Sequence, residues 1–270
     1  MTTLTSLGFI GGGQMAEALV RGILAAGLLA PEHIHVLEPN KKRMASLQSH
    51  YSIQTAADEA SLCASSQVLV AAIKPQIAQQ ALASYAPHLD RGHLLISIMA
   101  GIPLSKLRQY AGGQVRLIRA MPNTPALVLA GATAYTPAAS ATKEDCALAQ
   151  AIFNAVGQSL ELAEQQLDAV TGLSGSGPGY IFTFLEALID GGVLAGLPRS
   201  AAERLALQTL YGTAKLAQES KEHPAVLKGT VTSPGGTTIA GIHTLEQGAF
   251  RGIVMEAVQQ ATQRARELGG

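Results

Sequence analysis

Short apolar runs alternate with longer amphipathic segments over the first 120 residues or so of the chain. The runs predict strands over residues 6–10, 33–37, 68–73, 93–98 and 115–119. The segments between them predict helices over residues 14–26, 41–50, 76–85 and 104–110. Residues 68–73 are apolar throughout, which is typical of a strand buried on both faces of a parallel sheet. Repeated strand–helix units therefore predict an α/β region with a doubly wound, mostly parallel sheet.

The pattern changes near residue 165, after which strand-like alternation is almost absent. Helical periodicity covers residues 179–195, 200–220, 234–247 and 250–268. Pro198 and Pro224 stand where first helical turns are expected, and Gly196 and Gly248 stand where helices are expected to end. We therefore predict two domains, an α/β domain over residues 1–164 and an all-helical domain over residues 165–270.

Composition and charge indicate which kinds of macromolecule the protein is expected to bind. Apolar residues make up 47% of the 270 residues and charged residues 14%, which suits a protein that buries surface between its own subunits. We therefore expect a homo-oligomer whose dimer interface lies in the helical domain. Basic and acidic residues balance at 19 each, so neither a nucleic acid nor a membrane surface is an expected partner.

No signal-peptide pattern and no bilayer-length apolar run is visible in the sequence, so we predict a cytoplasmic protein. The two cysteines, Cys63 and Cys146, are not spaced as metal ligands and are interpreted as small buried apolar residues. We accordingly expect neither a disulfide nor a metal site.

A glycine-rich loop over residues 11–16 follows the first strand and opens the first helix. Gly11 permits a tight turn, Gly13 lets the backbone approach a pyrophosphate, and Ala16 lets the helix pack on the strand. This is the dinucleotide-binding pattern of a Rossmann domain, although a glycine turn that binds nothing is the alternative. The predicted cofactor contacts of this loop are Ile10, Gly11, Gly12, Gly13, Gln14 and Met15.

The type of nicotinamide cofactor stays open in the sequence. Glu38 ends the second strand, where a carboxylate usually bonds the ribose hydroxyls of NAD and repels the extra phosphate of NADP. A polar and basic run follows immediately, and Asn40 and Arg43 are candidates to hold that phosphate. The alternative for the basic run is a solvated helix face. Both NADPH and NADH are kept as cofactors, with NADPH slightly favoured.

The carboxyl ends of parallel strands face the ligand crevice in such sheets. Lys74 therefore lies at the rim, where it is a candidate to meet the cofactor or an anionic substrate, or is an ordinary surface lysine. Asn123 lies between two prolines and either makes a fixed polar contact or closes a turn. The residues predicted to contact cofactor from these strand ends are Ala72, Ile73, Lys74, Pro75, Met99, Ala100 and Asn123.

A second glycine-bearing loop covers residues 233–238. Ser233 is predicted to cap a helix whose first turn contains Pro234, and Gly235 and Gly236 leave N–H groups uncovered for an anion such as a carboxylate. A further loop over residues 174–178 contains Ser176, which either meets a ligand or belongs to a tight turn between domains.

Five segments carry a resemblance to a known family, and they are residues 8–15, 73–75, 121–125, 170–178 and 233–238. In them the chain resembles pyrroline-5-carboxylate reductase, over nearly its whole length. The resemblance implies a Rossmann domain, a helical domain that interlocks with its mate in a dimer, and reduction of 1-pyrroline-5-carboxylate to L-proline with NADPH or NADH.

The resemblance also assigns roles within the second loop. It implies that the loop binds the substrate carboxylate through Ser233, Gly235, Gly236, Thr237 and Thr238. Ser176 is kept as a further candidate for substrate contact. Thr238 is the matched hydroxyl nearest the imine nitrogen, so we predict a hydrogen-bonding or relay role for it. Thr238 and Lys74 are the catalytic candidates.

Two other functions compete with this one. A reductase of the same build could act on another imine or a hydroxyacid, but hydroxyacid relatives would carry a lysine in the first helix of the second domain, and none occurs between Gly177 and Pro198. A non-catalytic dinucleotide sensor would leave the second anion loop without a purpose.

Overall fold

The structure, a computed structural model, describes residues 4–269, which form eight strands and twelve helices. The strands are Leu7–Ile10 (β1), Ile34–Leu37 (β2), Gln54–Thr55 (β3), Val68–Ala71 (β4), Leu94–Ser97 (β5), Arg116–Met121 (β6), Gly131–Pro137 (β7) and Gly157–Glu161 (β8). The helices are Gln14–Ala25 (α1), Lys41–Tyr51 (α2), Glu59–Ala64 (α3), Ala78–Tyr85 (α4), Leu104–Ala111 (α5), Lys143–Asn154 (α6), Leu167–Val170 (α7), Gly177–Leu194 (α8), Arg199–Ser220 (α9), Pro224–Thr230 (α10), Thr237–Gln247 (α11) and Phe250–Gly269 (α12).

The strands form one sheet in the order β3-β2-β1-β4-β5-β6-β7-β8. Every pair is parallel except β6 with β7. The first six strands follow the 3-2-1-4-5-6 order of a Rossmann domain, in which the direction of winding reverses between β1 and β4. The predicted doubly wound, mostly parallel sheet is therefore confirmed, and its ligand crevice is expected at the carboxyl ends of β1 and β4.

The core lies on both faces of the sheet because successive strand side chains point to opposite sides. Val68 and Val70 of β4 join a cluster with α1 and α6, whereas Leu69 and Ala71 join a second cluster with α4 and α5. All four residues of β4 are fully buried, as the apolar run predicted. Strand β4 ends at Ala71, so the last two residues of the predicted strand, Ala72 and Ile73, lie beyond it, at the crevice.

The sequence interpretation missed β7, α6 and β8. β8 is mostly exposed and polar, and β7 has small residues among its apolar ones, so neither gives a clean alternation. Helix α6 did carry a usable pattern, because Thr142 and Asp145 form a capping box in which each side chain accepts a bond from the other's backbone N–H.

Asp145 holds α6 to the sheet, and its loss is expected to destabilise the fold. Its buried carboxylate accepts a bond of 2.6 Å from the guanidinium of Arg116 on β6 and another of 2.8 Å from the amide of Thr142. Asp145→Ala would leave Arg116 without its charge partner and remove the acceptor for the Thr142 amide, so we expect a loss of about 3 kcal/mol in the free energy of unfolding, measured by urea denaturation. Glu144→Ala, which alters an exposed carboxylate in the same helical turn, is the control and should cost far less. Equal losses for the two variants would contradict this role.

The chain divides into two compact units, residues 1–176 with 259–270, and residues 177–258. The second unit is entirely helical, with α8 packed on α9 through Gly192 and Ala202. Gly196 ends α8 with φ +97°, as predicted, because its neighbours' amides turn back onto the last carbonyls of the helix. The compact units place residues 165–176 and the end of α12 with the sheet, and the domain limits 1–164 and 165–270 stay a prediction.

Two further observations concern the cysteines and the possibility of a membrane-spanning helix. Burial raises the pKa of the Cys63 thiol to about 11, so this thiol is protonated at neutral pH. None of the helices within residues 4–269 is long and apolar enough to cross a membrane.

Candidate active site

The glycine loop lies where the crevice is expected. Gly11 adopts φ +92°, and a Cβ there would lie 2.8 Å from Cγ2 of Ile73 and 3.0 Å from the carbonyl oxygen of Ala72. The amide of Gly11 still donates to the carbonyl of Leu37, 2.9 Å away, so the turn is anchored to β2. Only glycine suits this position, because both the backbone conformation and the space exclude a side chain.

Gly13 opens helix α1 without a capping side chain. It is the N-cap residue, with extended backbone at φ −66°, and no side chain bonds the first amides of the helix. A Cβ at Gly13 would meet no protein atom closer than 3.9 Å, so the space above it is open. The unsatisfied amides of Gln14 and Met15 and the helix dipole therefore offer a seat for an anion at the carboxyl end of β1.

Glu38 and Asn40 meet the chain's own backbone. The Glu38 carboxylate accepts from the amide of Gly12 at 2.8 Å and from that of Asn40 at 2.9 Å. The Asn40 side chain caps α2 by accepting from the amides of Lys42 and Arg43. These two residues hold the glycine loop against the start of α2.

Arg43 also turns onto the glycine loop. Its Nε donates to the carbonyl of Gly12 at 2.6 Å, and Nη2 forms an ion pair with Glu17 at 2.5 Å. The hydroxyl of Tyr51 donates to the same carboxylate at 2.9 Å. Burial alone would raise the pKa of Glu17, but the hydrogen bonds from Arg43 and Tyr51 lower it below its ordinary value. Sequence reasoning missed Glu17 and Tyr51, since nothing in their spacing links them to the loop.

Further predicted cofactor contacts lie beyond the carboxyl ends of β4 and β5, at the same edge of the sheet as the glycine loop. Lys74 is exposed, lies three residues beyond the end of β4, and is the N-cap residue of a 3₁₀ turn, Pro75–Ile77. Ala100 is exposed beyond β5, whereas the side chain of Met99 is buried in the second core cluster. A contact of Met99 with a ligand would therefore come through its backbone.

Asn123 makes two bonds within the protein. Its Oδ1 accepts from the amide of Ala132 at 2.8 Å, and its Nδ2 donates to the carbonyl of Ser174 at 3.0 Å. Asn123 thus makes two fixed polar contacts within the protein, one to β7 and one to the segment before α8, and its contact with a cofactor stays a prediction.

The prediction of a loop over residues 174–178 is wrong. Residues Thr171–Gly175 form a π-helical turn, and α8 begins at Gly177, within the predicted loop. The amide of Ser176, at the junction, donates to the carbonyl of Thr171 at 2.8 Å. Single π turns interrupt helices where local geometry is adjusted, often at functional sites.

The predicted capping role of Ser233 is also wrong. Ser233–Gly236 form a turn in which the amide of Gly236 donates to the carbonyl of Ser233 at 3.0 Å, with Pro234 second and Gly235 third at φ +65°. Proline followed by a left-handed glycine is the signature of a type II turn. The helix therefore begins at Thr237, three residues later than predicted, because the serine and proline are used by the turn.

Helix α11 nevertheless has an open N-terminus. Gly236 is its N-cap residue, no side chain caps the helix, and Thr237 and Thr238 are exposed in its first turn. A groove of about 470 Å³ continues from Gly236 along the helix past His243. The amide of Gly236, predicted to be uncovered, is bonded to Ser233, so the free amides at this helix N-terminus are those of Thr237 and Thr238. Binding of an anion there stays a prediction.

Comparisons with known proteins agree with both halves of this description. Residues 164–268 match the family model for pyrroline-5-carboxylate reductase dimerisation, and residues 6–101 match the model described as NADP oxidoreductase, coenzyme F420-dependent. A pyrroline-5-carboxylate reductase from Synechocystis is 49% identical, with 97% of this chain and 98% of that protein covered. The chain belongs to the pyrroline-5-carboxylate reductase family. The reductase from Arabidopsis thaliana is 44% identical over 97% of this chain and 95% of its own length.

Solved structures of the reductase family superpose over almost the full length. The pyrroline-5-carboxylate reductase from Coxiella burnetii has a TM-score of 0.93 and 34% identity, with 99% of both chains covered. A Plasmodium falciparum pyrroline carboxylate reductase, solved with NADP bound, has a TM-score of 0.88 and 34% identity, with 98% of both chains covered. The predicted family and fold are therefore confirmed, and the open N-termini of α1 and α11 fall one in each matched segment.

Proposed function

We propose that this chain reduces 1-pyrroline-5-carboxylate to L-proline with a reduced nicotinamide dinucleotide. The observation that carries the proposal is the pair of open helix N-termini, on α1 and α11, each with a glycine at the N-cap and no capping side chain, in a chain of the reductase family. One open N-terminus suits a pyrophosphate and the other a carboxylate, which are the anions of the cofactor and the substrate.

The first seat fits a dinucleotide on the chain's own geometry. Gly11 keeps the loop tight, Gly13 leaves the space above α1 free, and Gln14 and Met15 present amides to a pyrophosphate. We further propose that Lys74 and Ala100, at the rim of the same sheet edge, contact the cofactor beyond the pyrophosphate. Two comparisons support this assignment: the matched family model described as an NADP oxidoreductase, and the Plasmodium falciparum reductase solved with NADP bound.

The second seat supports binding of the substrate carboxylate. The open amides of Thr237 and Thr238 and the dipole of α11 attract a small anion, and the type II turn formed by Ser233–Gly236 fixes their direction. A Cβ at Gly236 would meet Oγ of Ser233, so a side chain there would make the serine hydroxyl rotate away. Ser176 is proposed as a further substrate contact.

The reaction adds a hydride to the imine carbon and a proton to the imine nitrogen, and the cofactor leaves oxidised. A bound reduced nicotinamide supplies the hydride. The hydroxyl of Thr238, one residue into α11, is proposed to hydrogen-bond the imine nitrogen or to relay a proton from water to it. A threonine hydroxyl is a weak acid, so most of the rate is assigned to positioning and electrostatics.

We also propose that the working form is at least a dimer and that the two seats of one active site come from different subunits. The helical unit exposes large apolar side chains, among them Phe182, Tyr211 and Met255, and a groove of about 790 Å³ lined by Phe184 and Phe250. Such a surface on a small helical unit is typical of a face that a partner covers. The family model matched here is named for dimerisation, and a second copy of this chain is the partner it supports. The cytoplasmic location stays a prediction.

Turnover tests the proposal directly. The purified protein is mixed with 1-pyrroline-5-carboxylate and either NADPH or NADH, and the loss of reduced nicotinamide is followed with the amount of proline formed. We expect one proline for each nicotinamide oxidised. Oxidation of neither cofactor, or oxidation without proline, would refute the assignment. An acyclic 2-oxo acid in place of the imine is the control substrate and should not be reduced at a comparable rate.

A further inference from the structure

Helices α1 and α2 have the two N-termini nearest the crevice, and they differ in whether their first backbone amides are free to bind a ligand. The first amides of α1 carry no side-chain cap, whereas those of α2 are bonded by Oδ1 of Asn40, at 3.1 Å from the Lys42 amide and 3.2 Å from the Arg43 amide. A cofactor phosphate beside the second strand would need such amides or a free cation. At α2 the Asn40 side chain already accepts hydrogen bonds from these amides, so they are not free to bind a phosphate.

A carboxylate stands at the same place. Glu38 directly follows β2, and its two oxygens are fixed by the Gly12 and Asn40 amides, so its negative charge is held in position. Each oxygen retains further lone-pair capacity and can still accept a hydroxyl. A fixed carboxylate at the end of the second strand accepts hydrogen bonds from ribose hydroxyls and repels a phosphate in their place.

The nearest arginine is occupied. Arg43 bonds the carbonyl of Gly12 and is paired at 2.5 Å with Glu17, which is in turn held by Tyr51. Turning the guanidinium toward a phosphate would break these bonds and leave Glu17 without its main partner. The remaining cations of this segment, Lys41 and Lys42, are exposed in the first turn of α2.

We propose that this site selects NADH over NADPH, with Glu38 as the residue that determines specificity and Arg43 as a positioning residue for the glycine loop. This inference rests on the proposed function, because it concerns the cofactor of the same reaction. It reverses the slight preference for NADPH that the basic run suggested, since the Asn40 side chain caps α2 and the Arg43 guanidinium is bonded to the glycine loop.

Equilibrium binding without substrate tests the proposal. The dissociation constants of NADH and NADPH are measured from the change in fluorescence of the reduced nicotinamide on binding. We expect the wild-type protein to bind NADH at least about tenfold more tightly than NADPH. Equal affinities or tighter NADPH binding would overturn the inference and leave the proposed function intact. Binding of neither dinucleotide would count against both, and turnover with 1-pyrroline-5-carboxylate would then separate them.

Two variants separate the roles of the residues. Glu38→Gln keeps a carbonyl to accept an amide and removes the charge, so the preference for NADH should fall by about tenfold through stronger NADPH binding. Arg43→Ala should weaken both dinucleotides by the same factor, because it disturbs the loop that both share. A selective loss of NADPH binding in Arg43→Ala would show that Arg43 holds the phosphate and would overturn the assignment. The wild-type ratio decides the question even if a variant fails to fold.

Discussion

Replacing Gly13 by valine is expected to weaken dinucleotide binding strongly and leave the first compact unit folded. A Cβ at Gly13 meets no protein atom closer than 3.9 Å, and its φ of −66° is available to every residue, so the native backbone is retained. The added side chain instead occupies the open space above the N-terminus of α1, where the pyrophosphate is proposed to lie. We expect the dissociation constant to rise by about 100-fold or more, which corresponds to about 2.7 kcal/mol.

Binding and unfolding are measured on the same variant. Gly113→Val is the matched control, since Gly113 is exposed, lies away from the crevice, and has no protein atom within 4 Å of where its Cβ would stand. Gly11→Ala is the contrasting case, because strain at φ +92° and contact with Ile73 should destabilise the fold itself. If Gly13→Val bound dinucleotide normally while folded, the open end of α1 would not be the pyrophosphate seat.

Thr238→Val is expected to lower kcat by roughly 100-fold and to leave the dissociation constant of the cofactor unchanged. Valine has nearly the shape of threonine and lacks the hydroxyl, so the variant removes the proposed hydrogen bond to the imine nitrogen and keeps the backbone amide. The residue is exposed in the first turn of α11, so little packing is lost. Steady-state kinetics and equilibrium cofactor binding together separate the effect on chemistry from an effect on binding.

Thr244→Val is the control for the same chemical change on the same helix. The hydroxyl of Thr244 bonds the carbonyl of Ala240 within α11 at 3.3 Å and lies almost two turns beyond Thr238. We expect its kcat to stay near that of the wild-type protein. Unchanged turnover in Thr238→Val would remove Thr238 from the mechanism, and equal losses in both variants would indicate a general effect on the helix.

The sequence predicts the sheet and the first loop well because both depend on local patterns. A buried parallel strand such as β4 needs an apolar run, and the turn at Gly11 needs a glycine, so each leaves a direct trace in the residues. For the second loop, the sequence correctly predicts a following helix but places the start of that helix three residues too early. Ser233 and Pro234 suit a helix start as well as a type II turn, and only the left-handed conformation of Gly235 decides between them.

The partners of the charged side chains could not be predicted, because they depend on contacts between distant residues. Glu38 and Arg43 looked like rival cofactor ligands in the sequence, and the structure shows both bonded to the glycine loop. Glu17 joins them across 26 residues of chain. Such contacts arise only once β1 and β2 are side by side, so the sequence alone could not choose between the two nicotinamides.

The central claim is that the two open helix N-termini serve one reaction and that different subunits supply them. Gly13→Val and Thr238→Val chains, each nearly inactive alone, are co-expressed with different tags, and the mixed dimer is purified and assayed with 1-pyrroline-5-carboxylate. A mixed dimer pairs one intact glycine loop with one intact substrate loop across the interface. We predict activity far above the sum of the two parents, and a mixed dimer no more active than that sum would contradict the account.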